Sequence, residues 1–186
     1  MNFKKEILSQ NNDCRYMALY GWQDSIGGES YIQYGYINGY KTAGDYLVDY
    51  AVENSQQDSL IFPIMFNYRQ YIELLLKYIC RQNQNDVDYQ KTIKFCKHSL
   101  IDVFKTTLDF DNVKQSLNEK NMNFMEDVID FFEKYDKCSF NFRFPLDLHL
   151  KNSIVLDENK ELRINMQVLK KAIDDFDTIL FGFYGI

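Results

Sequence analysis

The sequence predicts a mainly α protein, a single helical-bundle domain with a small β-hairpin near residues 153–164. Three observations lead there. Apolar residues recur at three- and four-residue spacing along most of the chain, the pattern of helices with one buried face. Of 186 residues, 46% are hydrophobic and 16% aromatic, enough for one real core and too apolar for disorder. Two-residue alternation is confined to one late stretch. Residues 1–29 read as an N-terminal arm and loop. Residues 30–186 read as the helical domain, with the hairpin inserted in it.

Gly27-Gly28 marks a turn before a helix over 30–53, with Ser30 as a candidate N-cap. Its expected packing face is Tyr36, Tyr40, Ala43, Leu47, Tyr50 and Ala51, and Gly35, Gly39 and Gly44 would let another helix approach closely. The clearest helix is 61–81, "IFPIMFNYRQYIELLLKYICR", with Pro63 placed in its first turn. It is apolar over most of its circumference, which makes it the central helix. Its narrow polar stripe carries Arg69, Glu73 and Lys77 at four-residue spacing, set for an Arg69–Glu73 pair.

Residues 82–97 read as a loop or short helix, 98–108 as a helix opening at His98, and 111–120 as a further helical turn. Residues 123–136 form a strong amphipathic helix through Phe124, Val128, Ile129, Phe132 and Tyr135. Then "CSFNFRFPLDLH" (138–149) alternates and contains Pro145, so it is extended. Ile154 and Leu156 on one arm, and Leu162 and Ile164 on the other, predict the hairpin around Asp-Glu-Asn-Lys. Residues 165–181 return to helix. Val168, Leu169, Ala172, Ile173, Phe176, Ile179 and Leu180 face inward, "DDFD" faces water, and the apolar tail "FGFYGI" docks on the body or on a partner.

Composition excludes several classes. No apolar run is long enough to span a bilayer, and the N-terminus turns polar too soon for a signal peptide, so a cytoplasmic protein is expected. The net charge of −6 disfavours non-specific nucleic-acid binding; RNA would need a local basic patch. Cys14, Cys80, Cys96 and Cys138 form no C-x-x-C pair and the two histidines lack ligand spacing, so neither a metal nor any other cofactor is expected. No phosphate-binding G-x-x-x-x-G-K-[ST] loop occurs.

Two histidines carry the candidate chemistry. Histidine moves protons near neutral pH, and arginine clamps phosphate with a planar fork. Arg143 and His149, separated by five residues, are one such combination in the chain. His98, Arg69, Arg143 and His149 are therefore the candidate catalytic residues. Glu73, Lys77 and Asp147 complete a candidate polar network.

Taken together, "GYKTAGDYLVDYA" (39–51), "FPIMFNYRQYIELLLKYI" (62–79), "KHSL" (97–100) and "FRFPLD" (142–147) resemble the HEPN-like helical superfamily. The likeness is to a bacterial defence and mobile-element branch with a late F-R-[YF]-P-x-D motif, and it covers roughly residues 30–185. The resemblance carries over to Arg69, Glu73, Lys77, His98, Arg143 and Asp147, and not to His149. It implies a helical bundle acting as a homodimer or with a protein partner from the same operon, and no membrane. It also implies one of two roles. One is a non-catalytic adaptor, sensor or regulatory subunit. The other is a metal-independent ribonuclease toxin with an Arg-x(4–6)-His motif, cutting RNA as a homodimer. Arg143 and His149 match that motif by spacing but not by setting, since Pro145 lies inside it and the motif usually opens a helix. A third reading, from the residues alone, is a helical protein with a small-molecule or nucleotide pocket lined by the Gly- and Tyr-rich segment 27–40.

Overall fold

A computed structural model describes residues 29–147, 149–154 and 162–183. The chain divides into two compact units, 1–35 and 36–186. Of the first, only residues 29–35 are described, and they are helical. The second holds the hydrophobic core.

Seven α-helices and a closing 3-10 turn are present among the described residues: α1 (Glu29–Glu53), α2 (Gln57–Asn83), α3 (Asp86–Cys96), α4 (Leu100–Leu108), α5 (Asp111–Ser116), α6 (Glu119–Tyr135), α7 (Met166–Leu180) and Phe181–Phe183. Four of the interior starts have a clear chemical cause. Asn85, Ser99, Asn118 and Asn165 accept backbone N–H groups of α3, α4, α6 and α7 with their side chains, satisfying amides a helix start leaves unpaired.

α2 is the axis of the core. It buries Ile64, Met65, Tyr68, Tyr71, Ile72, Leu75, Leu76, Tyr78, Ile79 and Cys80, together with Arg69 and Glu73. α4 packs along it, and α6 packs on α4 and α7. At about 1.5–3 kcal/mol for each fully buried large apolar side chain, α2 contributes more to the core than any other described helix. It begins earlier than the sequence suggested. Pro63 therefore lies inside the helix rather than in its first turn, and costs the bond to the carbonyl of Ser59, an exposed residue.

α1 meets the core through part of the expected face, Ala51 being buried and Tyr40 and Leu47 packed against the core, and through residues outside it. Ile37, Gly44, Val48 and Ala51 are buried, while Tyr36 and Tyr50 are more than half exposed. The reason is close approach. A Cβ on Gly44 would lie 2.6 Å from the Tyr68 ring, so the seam needs a glycine there, and Tyr36 and Tyr50 turn outward while Tyr40 packs on Phe66. Lys41 bonds Asp45 (3.0 Å) and Asp174 (2.5 Å), and Tyr68 Oη donates to Asp45 (2.8 Å). Tyr71 Oη donates to Asp177. Two acids of "DDFD" thereby contact α1 and α2, Asp174 with its side chain still about half exposed. Val168, expected inside, is 63% exposed.

The hairpin is not seen: no strand occurs among the described residues, and 155–161 lie outside them. The segment after α6 is not continuously extended. It folds into tight turns and makes one isolated antiparallel bridge, Leu146 with Asn152. Of the apolar tail, Phe181 is exposed and Phe183 packs partly on the core; 184–186 lie outside the described residues.

Candidate functional site

The polar stripe of α2 lies in the interior. Arg69 is 0% exposed and Glu73 1%. The guanidinium is spent on three fixed acceptors: Nε donates to the Asp136 carbonyl (2.8 Å), Nη1 to Glu73 Oε2 (2.8 Å) and Nη2 to the His98 carbonyl (2.5 Å). Glu73 Oε1 accepts from Lys77 Nζ (2.5 Å) and lies 2.9 Å from His98 Nδ1, while Lys77 also donates to the Lys97 carbonyl (2.7 Å). Asp136, 0% exposed, faces Arg69 Nε with Oδ2 at 3.5 Å and accepts the Phe140 and Asn141 amides with Oδ1 at 2.6 and 2.8 Å.

Two cations and two carboxylates thus balance inside the fold, as buried charge requires. Burial works to raise the Glu73 carboxyl, but the bonds and charges of Lys77 and Arg69 outweigh it and hold the group below its ordinary value. Glu73 is therefore the acceptor, and His98 Nδ1 carries the proton of their bond. Glu133 shows the opposite balance. Burial pushes it up although its Oε2 accepts the Leu100 amide (3.0 Å) at the start of α4.

The network has a visible mechanical role. It grips two turns that each contain a non-glycine residue at positive φ: Lys97 (49°) between α3 and α4, and Ser139 (56°) after α6. Left-handed backbone costs each about 1–2 kcal/mol. Lys77 and Arg69 take the carbonyls of 97 and 98, and Arg69 with Asp136 takes the backbone of 136, 140 and 141. Those turns carry polar groups that would otherwise be buried without partners.

Of the candidates from the sequence, Arg69, Glu73, Lys77 and His98 come together. Among them His98 alone is largely open to water, with its side chain 60% exposed. Arg143 and Asp147 do not join this network. Arg143 is exposed; its Nε donates to the Ser139 carbonyl (2.6 Å), and its guanidinium lies over the Phe66 and Phe144 rings at 5.8 and 5.4 Å. Asp147 organises its own loop by accepting the His149 and Lys151 amides at 2.8 and 2.9 Å, which lower its pKa, Lys151's bond most. His149 is exposed on that loop.

Periodicity does not point to Asp136 or Glu133. The available signal is a mismatch: an acid capping the C-terminal end of α6 opposes the helix dipole, and only a tertiary partner offsets it. Among the described residues no three His, Cys, Asp or Glu gather as a metal-ligand group. Burial pushes the Cys80 thiol up to about 11, which makes it a poor nucleophile. No helix among them is long and apolar enough to cross a membrane. No family model, curated protein or solved structure matches this chain.

Proposed function

We propose that this chain is a HEPN-like helical module of a bacterial defence or mobile-element system, acting as a non-catalytic adaptor, sensor or regulatory subunit. One observation carries the non-catalytic part, and it concerns the network around His98, which Arg143 does not join. Arg69, with no exposed surface, has Nε, Nη1 and Nη2 each committed to an internal acceptor. A guanidinium held this way has no fork left for a phosphate. The defence setting rests on the sequence motifs alone.

A second reading has its own observation. The buried Glu73 carboxylate holds Nδ1 of a largely exposed His98, which is how carboxylates orient an acid/base imidazole. In that reading the chain is a metal-independent ribonuclease working through His98. Incubating purified protein with labelled RNA in chelator separates the two. The non-catalytic reading expects no cleavage above the buffer blank. Cleavage by wild type that disappears in His98→Ala would install the ribonuclease reading. Light scattering, alone and with proteins encoded beside it, tests assembly: the adaptor role expects a dimer or a stable complex, and a persistent monomer counts against it.

A further inference from the structure

A second site stands apart from the charged network. A pocket of about 390 Å³ opens between the start of α2 and the turns after α6, lined by Phe62, Phe142, Phe144, Pro145 and Ile154 with Arg143 and three polar residues, Asn141, Asn152 and Ser153. The volume falls within the usual range for small-ligand sites. Among the described residues of the lining Arg143 is the only charged one, and none of them is a carboxylate. Its Nε is tied to the Ser139 carbonyl and its Cζ lies over two rings, so the group is held in place. Among the described residues neither Nη has an acceptor. The Ser153 hydroxyl in the same wall is buried and also without a partner among them.

The rim is held in advance of any ligand. Asp136 fixes the Phe140 and Asn141 amides, Asn141 Nδ2 donates to the Tyr135 carbonyl (2.8 Å), and the Ser153 amide donates to the Pro145 carbonyl (3.0 Å). Little ordering is then left for binding to impose.

We propose that this pocket binds a small aromatic oxyanion: a flat ring lying among Phe62, Phe142 and Phe144, with its carboxylate or phosphate on the free fork of Arg143. Phe62 and Phe144 are each nearly half exposed, and Phe144 is held in place by the Phe140 ring at 4.7 Å, which leaves exposed ring surface for a ligand. The forked guanidinium matches two oxygens of one anion. The proposal does not rest on the HEPN resemblance and survives its failure.

The test is calorimetric titration of the whole chain with 2-naphthoate and with 4-nitrophenyl phosphate. Acetate and 2-naphthalenemethanol serve as the ringless and chargeless controls. Saturable 1:1 binding of at least one aromatic anion is expected, tenfold or more tighter than either control. Arg143→Gln should weaken it by about 10- to 100-fold, the loss of a charged hydrogen-bonded pair. Val168→Ser, in the separate apolar groove of about 310 Å³ between α6 and α7, should leave it unchanged. Should Arg143→Gln fail to fold by circular dichroism, ligand-induced shifts of the wild-type Phe142–Phe144 amides decide the location. No saturable binding, binding untouched by Arg143→Gln, loss in Val168→Ser, or shifts elsewhere would overturn the proposal.

Discussion

Replacing Arg69 with methionine keeps the apolar stem, about as far as Nε, and removes the charge and all the donors. The carbonyls of His98 and Asp136 lose their partner at 2.5 and 2.8 Å, and Asp136, already 0% exposed, loses the cation beside it. Glu73 keeps Lys77 and His98. Breaking a buried ion pair from one side costs about 3–5 kcal/mol, because the orphaned charge stays buried. For a domain of this size, 1 kcal/mol shifts the midpoint by roughly 2–4 °C, so Tm should fall by about 6–20 °C. That is a large part of the roughly 5–15 kcal/mol typical of a native domain. Urea denaturation and thermal circular dichroism measure it. The double variant Arg69→Met with Glu73→Leu should lose less than the sum of the two single changes, since it removes both charges together. A single-variant loss below about 1 kcal/mol, or strict additivity in the double, would refute the claim that this stripe is a coupled buried lock.

Gly44→Ala should destabilise by about 1–3 kcal/mol, because its methyl meets a Tyr68 ring that is buried and anchored to Asp45. Gly39→Ala, with nothing within 4 Å, should instead stabilise by about 0.5–1 kcal/mol; thermal melts compare the two. Glu133→Gln keeps an acceptor for the Leu100 amide and removes a charge that burial disfavours. Its folded pKa is raised, so the carboxylate costs stability above that pKa and nothing below the unfolded value. At pH 7 the variant should equal or exceed wild type by less than about 1 kcal/mol, the difference vanishing in acid, as urea titrations at several pH values would show.

The helices were legible because periodicity and capping act locally. α2, α4, α6 and α7 carry most of their apolar positions where the spacing put them, Val168 excepted. The Arg69–Glu73 pair was legible for the same reason; that the stripe lies buried was not, because burial depends on which elements cover it. What lay beyond reach was set by distant groups. The rotation of α1 depends on how closely Tyr68 approaches Gly44. Asp136 has a partner 67 residues away in sequence. The turns after α6 alternate like a strand, yet they are shaped by Asp136 and by positive φ at Ser139, neither of which leaves a periodic trace. The five-residue interval between Arg143 and His149 joined two exposed side chains in turns, while the arginine and histidine that do connect, Arg69 and His98, meet through a backbone carbonyl and a shared carboxylate.

The central claim is that Glu73 is an ionised, cation-locked carboxylate in the interior, and its titration tests this most directly. Following the Glu73 side-chain carbon by NMR across acid pH should give a pKa below the ordinary 4.5, rising in Lys77→Met. Because the folded pKa is lowered, the stability it contributes is present above the unfolded value and lost as pH falls through the folded one. A Glu73 pKa at or above 4.5, unmoved by Lys77→Met, would mean that burial wins over the cations, and would contradict the account.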